Sequence, residues 1–235
     1  MTAAEIRSAT SLPSRVAWMA CHFSPYATGL SNLPEALPPG AVLMLNDITP
    51  IRGHDPQMIR RQLYDIAEEN RCSVLVLDFQ RHPSAETRDL VECLVADSVY
   101  PVVVSAAFGE KFSCPVLLPP CPAHIPLETH IAPWGERDIW LEVSRSQETI
   151  AVTASGATVS SQSFSTLEEG GFLEEALHCH YRIETASELV RFSLWRTDAD
   201  IHALCAQGHA LGVRGFLGLY QELGDLSGKN ENRSA

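Results

Sequence analysis

Eight polar residues stand where apolar runs of the sequence end. In parallel α/β proteins, loops after the strands vary while the strands stay rigid, so such residues often gather into a site. The set supplies carboxylates, amides, a hydroxyl, an imidazole and a phenol, which suits acid and base catalysis or the binding of a hydroxyl-rich ligand. Its members are His22, Asn46, Asp47, Asp78, Gln80, Ser105, Tyr220 and Glu222.

Three carboxylates of this set are the candidate catalytic residues. Asp47 and Asp78 follow two successive predicted strands, so their carboxylates could converge and act as an acid and base pair or bind a cation. Asp at a strand end also often caps the next turn, which is the structural alternative for both residues. Asp78 is the preferred candidate. Glu222 would supply an acid from the last predicted strand, unless it simply begins an exposed tail.

The remaining candidates are predicted to bind a ligand, and several of them are aromatic. Sugar rings present apolar C–H faces that stack on aromatic side chains, while polar side chains bind the hydroxyl groups. Trp134, in a proline-flanked loop, is the best platform, whereas Trp195 fits the core. The predicted ligand-binding residues are His22, Tyr26, Asn46, Gln80, Ser105, Trp134 and Tyr220.

Two histidines, His178 and His180, flank Cys179 in a predicted strand, where side chains two residues apart point to the same face. That spacing occurs in metal sites, but no third ligand is evident, so we predict no metal. The sequence also lacks the short motifs of phosphate loops, dinucleotide-binding folds, serine nucleophile elbows and zinc proteases. We therefore predict no cofactor.

The first half of the chain alternates apolar runs with amphipathic helical segments. Asp55 followed by Pro56 predicts one helix start, and Ser84 predicts another. Continuous apolar strands separated by such helices are typical of a parallel sheet covered on both faces or closed into a barrel. The pattern predicts an α/β fold, a reduced or irregular (β/α)8 TIM-type barrel. The predicted strands cover 16–23, 41–48, 72–79 and 101–108.

The second half departs from this repeat. CPVLLPPCP predicts a short strand that its prolines end, and no helix is evident after it. The segment from Asp138 to Ser160 has two β-rich runs around a polar turn and predicts a β-hairpin inserted into the barrel. Beyond it we predict a short helical stretch at FLEEAL, two strands, a helix over Ala199 to Leu211 and a last strand ending at Tyr220.

Composition and charge restrict the class of protein. No linker divides the 235 residues, so we expect a single barrel domain over 15–223 with flexible tails at 1–14 and 224–235. The formal net charge of -12 argues against nucleic acid as a partner. The N-terminal segment MTAAEIRSATSLPSR has no continuous apolar core like that of a signal peptide, and no later apolar run reaches membrane length, so we expect a cytoplasmic protein that does not enter a membrane. Seven cysteines without a C-x-x-C pair predict buried, reduced thiols.

Several of the apolar runs resemble the strands of family 18 glycoside hydrolases, the chitinase-like barrels. The stretches from VLMLNDI through CSVLVLDFQ to PVVVSAAF resemble the central strands, and GVRGFLGLYQEL resembles the closing strand. In that family one strand ends in Asp-x-Glu, whose Glu protonates the glycosidic oxygen while the substrate acetamide acts as nucleophile. The matching tripeptide here is Asp78, Phe79 and Gln80, and an amide cannot deliver a proton as a carboxylic acid does. The resemblance therefore implies a degenerate, sugar-binding barrel.

Three functional hypotheses follow. The leading one is a degenerate glycoside-hydrolase-like barrel that binds an oligosaccharide at the ends of its strands, with hydrolysis unproven. The second is a noncatalytic interaction protein on the same scaffold, with the hairpin at 138–160 as its partner surface. The third is a metal-dependent hydrolase that uses Asp47, Asp78 and one or more histidines. The sequence defines neither the sugar nor the oligomeric state.

Overall fold

A computed structural model of the chain describes residues 17–34, 36–37, 39–81, 83–135, 137–163 and 170–218. Within these ranges the chain divides into two compact units, with the boundary in sequence between Leu117 and Leu118. The expected tails at 1–14 and 224–235 lie outside the described residues, and the single-domain boundaries at 15 and 223 stay a prediction.

The first unit is built on a parallel sheet. Its strands are β1 (Ala17–Phe23), β2 (Leu30–Ser31), β3 (Val42–Asn46), β4 (Val74–Asp78), β5 (Val102–Ser105) and β6 (Val116–Leu118), the last ending on the first residue of the second unit. β1, β3, β4, β5 and β6 pair in that order and in parallel, while β2 is an antiparallel edge strand on β1. Every residue of β3, β4 and β5 is buried, as expected for strands covered on both faces.

Helices connect these strands. They are α1 (Pro56–Glu69), α2 (Ala85–Val95) and the single turn α3 (Ala106–Gly109). Both predicted helix starts are confirmed, because the Asp55 carboxylate accepts from the Gln57 backbone N–H at 3.0 Å and the Ser84 hydroxyl accepts from the Thr87 N–H at 3.1 Å. The apolar sides of α1 and α2 pack into the same buried cluster as the strands. This packing holds the strand ends rigid.

The second unit is mostly antiparallel. It contains β7 (Ile139–Glu142), β8 (Ser146–Thr153), β9 (Gly156–Ser163), β10 (Phe172–Glu174), β11 (Cys179–Ala186), β12 (Leu189–Trp195) and β13 (Val213–Leu217), helices α4 (Leu127–Ile131) and α5 (Asp198–Ala210), and two 3-10 turns (Ala132–Trp134 and Glu175–Leu177). β7 and β13 form a parallel pair. The other five strands form an antiparallel sheet in the order β10-β11-β12-β8-β9.

A buried arginine lies at the centre of the second unit. Arg196 is 7% exposed, and its guanidinium donates to four backbone carbonyl oxygens. The acceptors are those of Cys121 (2.6 Å), His178 (3.2 Å), Pro122 (3.3 Å) and Leu177 (3.4 Å). These carbonyls lie in two irregular segments, at 121–122 and 177–178, and Arg196 joins the two by supplying donors for them.

The predicted (β/α)8 barrel is wrong. Eight strands belong to a mixed sheet and five to an antiparallel sheet, and no pairing among the described residues closes the mixed sheet into a barrel. The physical reason lies in the sequence after β6. Strands such as GATVSSQS and CHYRIETA carry polar residues at many positions, so they cannot be covered on both faces as barrel strands are. They form an antiparallel sheet with exposed side chains instead.

The hairpin and one predicted helix are also corrected. The first run of the predicted hairpin is β7, which pairs with β13, and the hairpin itself is β8 and β9, part of the five-stranded sheet and not an insertion into a barrel. FLEEAL, predicted as helical, forms β10 and a 3-10 turn. It follows Gly170 and Gly171, both with positive φ, and six residues are too few to sustain a helix against pairing with β11.

Candidate functional site

Three polar residues lie side by side at the carboxyl ends of β3, β4 and β5. Asn46 is opposite Asp78 in the register of β3 and β4. Ser105 ends β5, one position beyond the residue that pairs with Leu77 of β4. All three are buried although polar, and Asp78 keeps 7% of its surface exposed. Adjacent parallel strands therefore bring an amide, a carboxyl group and a hydroxyl to one edge of the sheet.

Asp47, the residue after β3, connects the loop after β3 to the loop after β4. Its Oδ1 accepts from the backbone N–H of Gln80 at 3.0 Å, and its Oδ2 accepts from that of Arg81 at 2.9 Å. Asp47 is buried, so these bonds compensate the removal of its charge from water. Both oxygens are engaged, and the arrangement fits the capping alternative better than an acid and base pair with Asp78.

Arg81, in the loop after β4, also donates hydrogen bonds to the loop after β3. Its Nε donates to the Asp47 carbonyl oxygen at 2.7 Å, and its Nη2 donates to the Ile48 carbonyl oxygen at 2.6 Å. The Arg81 side chain is exposed, yet its guanidinium and backbone N–H are bonded at three points. The two strand-end loops thus form one hydrogen-bonded structure.

Asp78 is the carboxyl group of this edge with an altered proton affinity. Burial raises the pKa of Asp78 above its usual value, the hydrogen bond from Gln80 lowers it, and the negative charge of Asp47 raises it further. The Gln80 amide Nε2 donates to Asp78 Oδ1 at 3.1 Å. Asp78 Oδ2 accepts from no residue in the described ranges. A carboxyl group in this state can accept a hydrogen bond when ionised and donate one when protonated.

The other strand-end candidates have mostly local partners. Asn46 Oδ1 accepts from the Ile48 N–H at 3.2 Å, and the Ser105 hydroxyl donates to the Phe79 carbonyl oxygen at 2.7 Å. His22 is half-buried near the end of β1, opposite Asn46 in register. Asn46, Asp47, Asp78, Gln80 and Ser105 are thus joined by neighbouring strands and bonds, with His22 one strand away.

Tyr26 does not join this group, and the other aromatic and acidic candidates lie in the second unit or outside the described residues. Tyr26 lies in the loop between β1 and β2 and is 98% exposed, so its ring packs against no other site residue. Trp134 lies in a 3-10 turn of the second unit. Tyr220 and Glu222 lie outside the described residues.

The described residues contain no group of three or more His, Cys, Asp or Glu side chains arranged to hold a metal ion. His178 is in a turn with φ of 46°, before β11 begins, so the strand spacing assumed for His178 and His180 does not apply. His180 Nδ1 instead contacts Asp200 Oδ2 at 2.8 Å, at the start of α5. The described residues therefore supply no set of metal ligands for the metal-dependent hydrolase hypothesis.

The cysteine thiols that burial affects are poor nucleophiles. Burial raises the pKa of Cys21 to about 12 and that of Cys179 and Cys205 to about 11. A thiol acts as a nucleophile through its thiolate, which is scarce at neutral pH for these three residues.

The predicted partner surface is a sheet with exposed apolar side chains. Residues 156–162 of β9, at one edge of the five-stranded sheet, are all exposed. Several large apolar side chains of this sheet are also exposed, namely Val152, Val159, Phe172, Leu173 and Ile183. An interaction role for this sheet stays a prediction.

One residue of the site was missed by reasoning from the sequence. Arg81 directly follows the Asp78, Phe79 and Gln80 tripeptide, and a charged residue in a loop after a buried strand was the available signal. A lone arginine next to a helix start reads as a surface residue, however. Only its contacts with the loop after β3 distinguish it.

No helix among the described residues is long and apolar enough to cross a membrane.

Comparison with known proteins supports the fold and not a family. A scan of protein-family models gives no match, and neither does a search of curated proteins. The spore cortex-lytic enzyme SleL of Bacillus cereus aligns with 88% of this chain and 63% of its own, at 10% identity and a TM-score of 0.55.

Two further solved structures give lower TM-scores. SleL of Bacillus megaterium QM B1551 covers 76% of this chain and 55% of its own at 10% identity, with a TM-score of 0.43. The C-terminal domain of a chitinase candidate from Desulfitobacterium hafniense DCB-2 covers 80% and 78% at 9% identity, with a TM-score of 0.48. The chain therefore has a fold similar to that of Bacillus cereus SleL, while spanning less than two thirds of that enzyme's length.

Proposed function

We propose that this protein binds a carbohydrate chain at the carboxyl ends of β3, β4 and β5, with Asp78 as the central contact. The observation that carries the proposal is the state of Asp78. Its carboxyl group is buried, its Oδ1 is bonded to Gln80, its Oδ2 has no described partner, and burial raises its pKa. An oxygen of this carboxyl group that no described residue bonds is available to a ligand hydroxyl, from which it can accept when ionised and to which it can donate when protonated.

The neighbouring groups fit a ligand rich in hydroxyls. The amide of Gln80 is exposed and can both donate and accept, and the amide nitrogen of Asn46 faces no described acceptor. Protein sites for sugars combine such groups with a rigid frame, and the bonds of Asp47 and Arg81 make the two loops rigid. The fold similarity to a spore cortex-lytic enzyme supports the same ligand class.

Binding without hydrolysis is the form of the proposal that the contacts favour. Gln80 stands where the chitinase-like pattern has its acid, and an amide cannot protonate a leaving group. Asp47 has both carboxylate oxygens engaged by backbone N–H groups and is not available as a partner base. Asp78 remains as the one described carboxyl group at this edge with an oxygen to offer the ligand.

The test is titration calorimetry with chitotetraose at neutral pH. Wild type should bind, and Asp78→Ala combined with Gln80→Ala should weaken binding by about tenfold or more, because hydrogen bonds to charged groups contribute that much. The matched control combines Asp65→Ala with Gln57→Ala, the same residue types on the exposed side of α1. Full affinity in the Asp78 and Gln80 variant would remove the proposed site.

A further inference from the structure

The arginine beside this site has a free edge that fits a carboxylate. We propose that the ligand is an acidic carbohydrate and that Arg81 binds its carboxylate group. The inference rests on the proposed function, since it names the chemical class of ligand for the same strand-end site. It starts from the contacts of the Arg81 guanidinium, which is the one cation bonded to both strand-end loops in the described residues.

Two of the five N–H groups of the Arg81 guanidinium are used. Nε and one hydrogen of Nη2 point along one edge of the group, to the carbonyl oxygens of Asp47 and Ile48. Both hydrogens of Nη1 and the second hydrogen of Nη2 remain, and no described residue accepts from Nη1. The edge formed by Nη1 and Nη2 has the spacing of a carboxylate, so it can bind one through two parallel hydrogen bonds.

No carboxylate among the described residues contacts the Arg81 guanidinium to compensate its positive charge. Its two bonded acceptors are neutral carbonyls, and none of the described ion pairs includes it. The nearby Asp47 carboxylate is turned toward backbone N–H groups of residues 80 and 81. A cation held beside a binding site without an anionic partner favours a ligand that brings the negative charge.

The Arg81 side chain is also ordered before the ligand arrives. An exposed arginine normally loses side-chain freedom when it binds an anion, which reduces the affinity gained. Here the two carbonyls hold the guanidinium at Nε and Nη2, and the bond from the backbone N–H to Asp47 holds the main chain that carries the side chain. Less freedom remains to be lost, so the free edge is prepared for a planar anion.

The overall charge limits how acidic the ligand is. The chain has a formal net charge of -12, so a densely charged polyanion would be repelled over most of the surface. A carbohydrate with neutral sugars and an occasional carboxylate avoids that repulsion while satisfying Arg81. The exposed Arg81 beside the amides of Asn46 and Gln80 favours this class of ligand.

The experiment compares chitotetraose with the same oligosaccharide oxidised to a carboxylate at C6 of one sugar only, by titration calorimetry at low salt. Wild type should bind the oxidised form about tenfold more tightly, the gain expected of a charge-assisted hydrogen-bonded pair. Arg81→Met should abolish this preference, because it should lower the affinity for the oxidised form by about tenfold more than the affinity for neutral chitotetraose. Arg81→Lys should keep only part of the preference, because an ammonium lacks the planar fork. Arg61→Met, an exposed arginine on α1, is the control and should change neither affinity.

The outcomes separate this inference from the proposed function. Equal affinity of wild type for both forms would overturn the role of Arg81 while leaving carbohydrate binding intact. A preference that survives Arg81→Met, or an equal loss for both ligands in that variant, would also overturn it, since the anion would then be bound elsewhere or Arg81 would act only on the loop. No binding of either form would refute the proposed function itself.

Discussion

Two arginines, one in each unit, hold irregular segments together by donating to backbone carbonyls, and they do so in opposite surroundings. Arg196 is 7% exposed and donates to four carbonyl oxygens in the second unit. Arg81 is exposed and donates to two carbonyl oxygens in the first unit, leaving Nη1 without a described acceptor. All three guanidinium nitrogens of Arg196 are therefore bonded to the protein, whereas only two of the three are bonded in Arg81.

The difference gives a way to separate structural from functional cations. A guanidinium removed from water must satisfy its N–H groups within the protein, and one that does so has nothing left for a ligand. A guanidinium that is fixed by some of its donors and exposed at the others contributes less to stability and retains binding capacity. The predictions below test this contrast, beginning with the largest expected effect.

Arg196→Met should destabilise the protein most. It leaves one buried and three partly buried carbonyl oxygens without their donor, and each such unsatisfied group costs on the order of 1 kcal/mol. We expect the free energy of unfolding to fall by about 3 kcal/mol or more in urea titrations followed by tryptophan fluorescence. The buried Trp195 lies next to Arg196 in sequence and reports on this unit.

Arg81→Met is the matched comparison for that experiment. Of its two carbonyl acceptors, that of Ile48 belongs to a residue that is 71% exposed and can bond water instead, so we expect a loss below about 1 kcal/mol. Similar losses in the free energy of unfolding for Arg196→Met and Arg81→Met would refute the distinction between a buried, fully bonded guanidinium and an exposed, partly bonded one.

Asp47→Ala should have an intermediate effect, because it removes both acceptors that join the loop after β4 to the loop after β3. We expect a loss of about 1 to 2 kcal/mol in stability and faster hydrogen exchange at the backbone amides of Gln80 and Arg81, measured by NMR. Asp47→Asn keeps one acceptor oxygen and should lie between wild type and Asp47→Ala. Unchanged exchange at both amides would mean that Asp47 does not hold the loop.

Asp78→Asn should have the smallest effect, and its sign should depend on pH. Burial raises the folded-state pKa of Asp78, so the folded protein holds the proton more tightly than the unfolded chain, and ionisation destabilises the fold as pH rises through that pKa. Asparagine cannot ionise and still accepts from Gln80. The variant should therefore have a higher Tm than wild type at pH 7 and no advantage near pH 3, where Asp78 is protonated in both states.

Asp65→Asn, an exposed carboxylate on α1, provides the control for the pH experiment. A gain for Asp78→Asn that is the same at pH 3 and pH 7, or no gain at pH 7, would contradict the assignment of Asp78 as a buried, strained carboxyl group. A higher Tm at pH 7 combined with weaker carbohydrate binding would show that Asp78 lowers stability and raises affinity for the ligand.

The first unit could be predicted from the sequence because its signals are local. Continuous apolar runs mark β3, β4 and β5, and Asp55 and Ser84 mark the helix starts, all of which the structure has. The barrel prediction failed because the same repeat was extended beyond β6. There the polar strands satisfy each other in antiparallel pairs, and the choice between parallel and antiparallel partners depends on residues far apart in sequence.

The site was predictable in position and not in its contacts. Strand ends identify Asp47, Asp78 and Gln80 as neighbours, since parallel strands end at one edge of a sheet. The sequence could not reveal that Asp47 is bonded to backbone N–H groups while Asp78 keeps an oxygen without a described partner. Backbone N–H and carbonyl groups are present at nearly every position, so a residue pattern does not show which of them bond Asp47 or Arg81.

The bonds of Asp47 have a consequence for how this protein can change over evolutionary time or be redesigned. They join Asp47 to the backbone N–H groups of residues 80 and 81, so they need no particular side chain at position 80 and exclude only proline. The loop keeps its shape whichever side chain it carries there. The side chain at position 80 can therefore be lost, regained or replaced while the backbone hydrogen bonds that hold the loop stay the same.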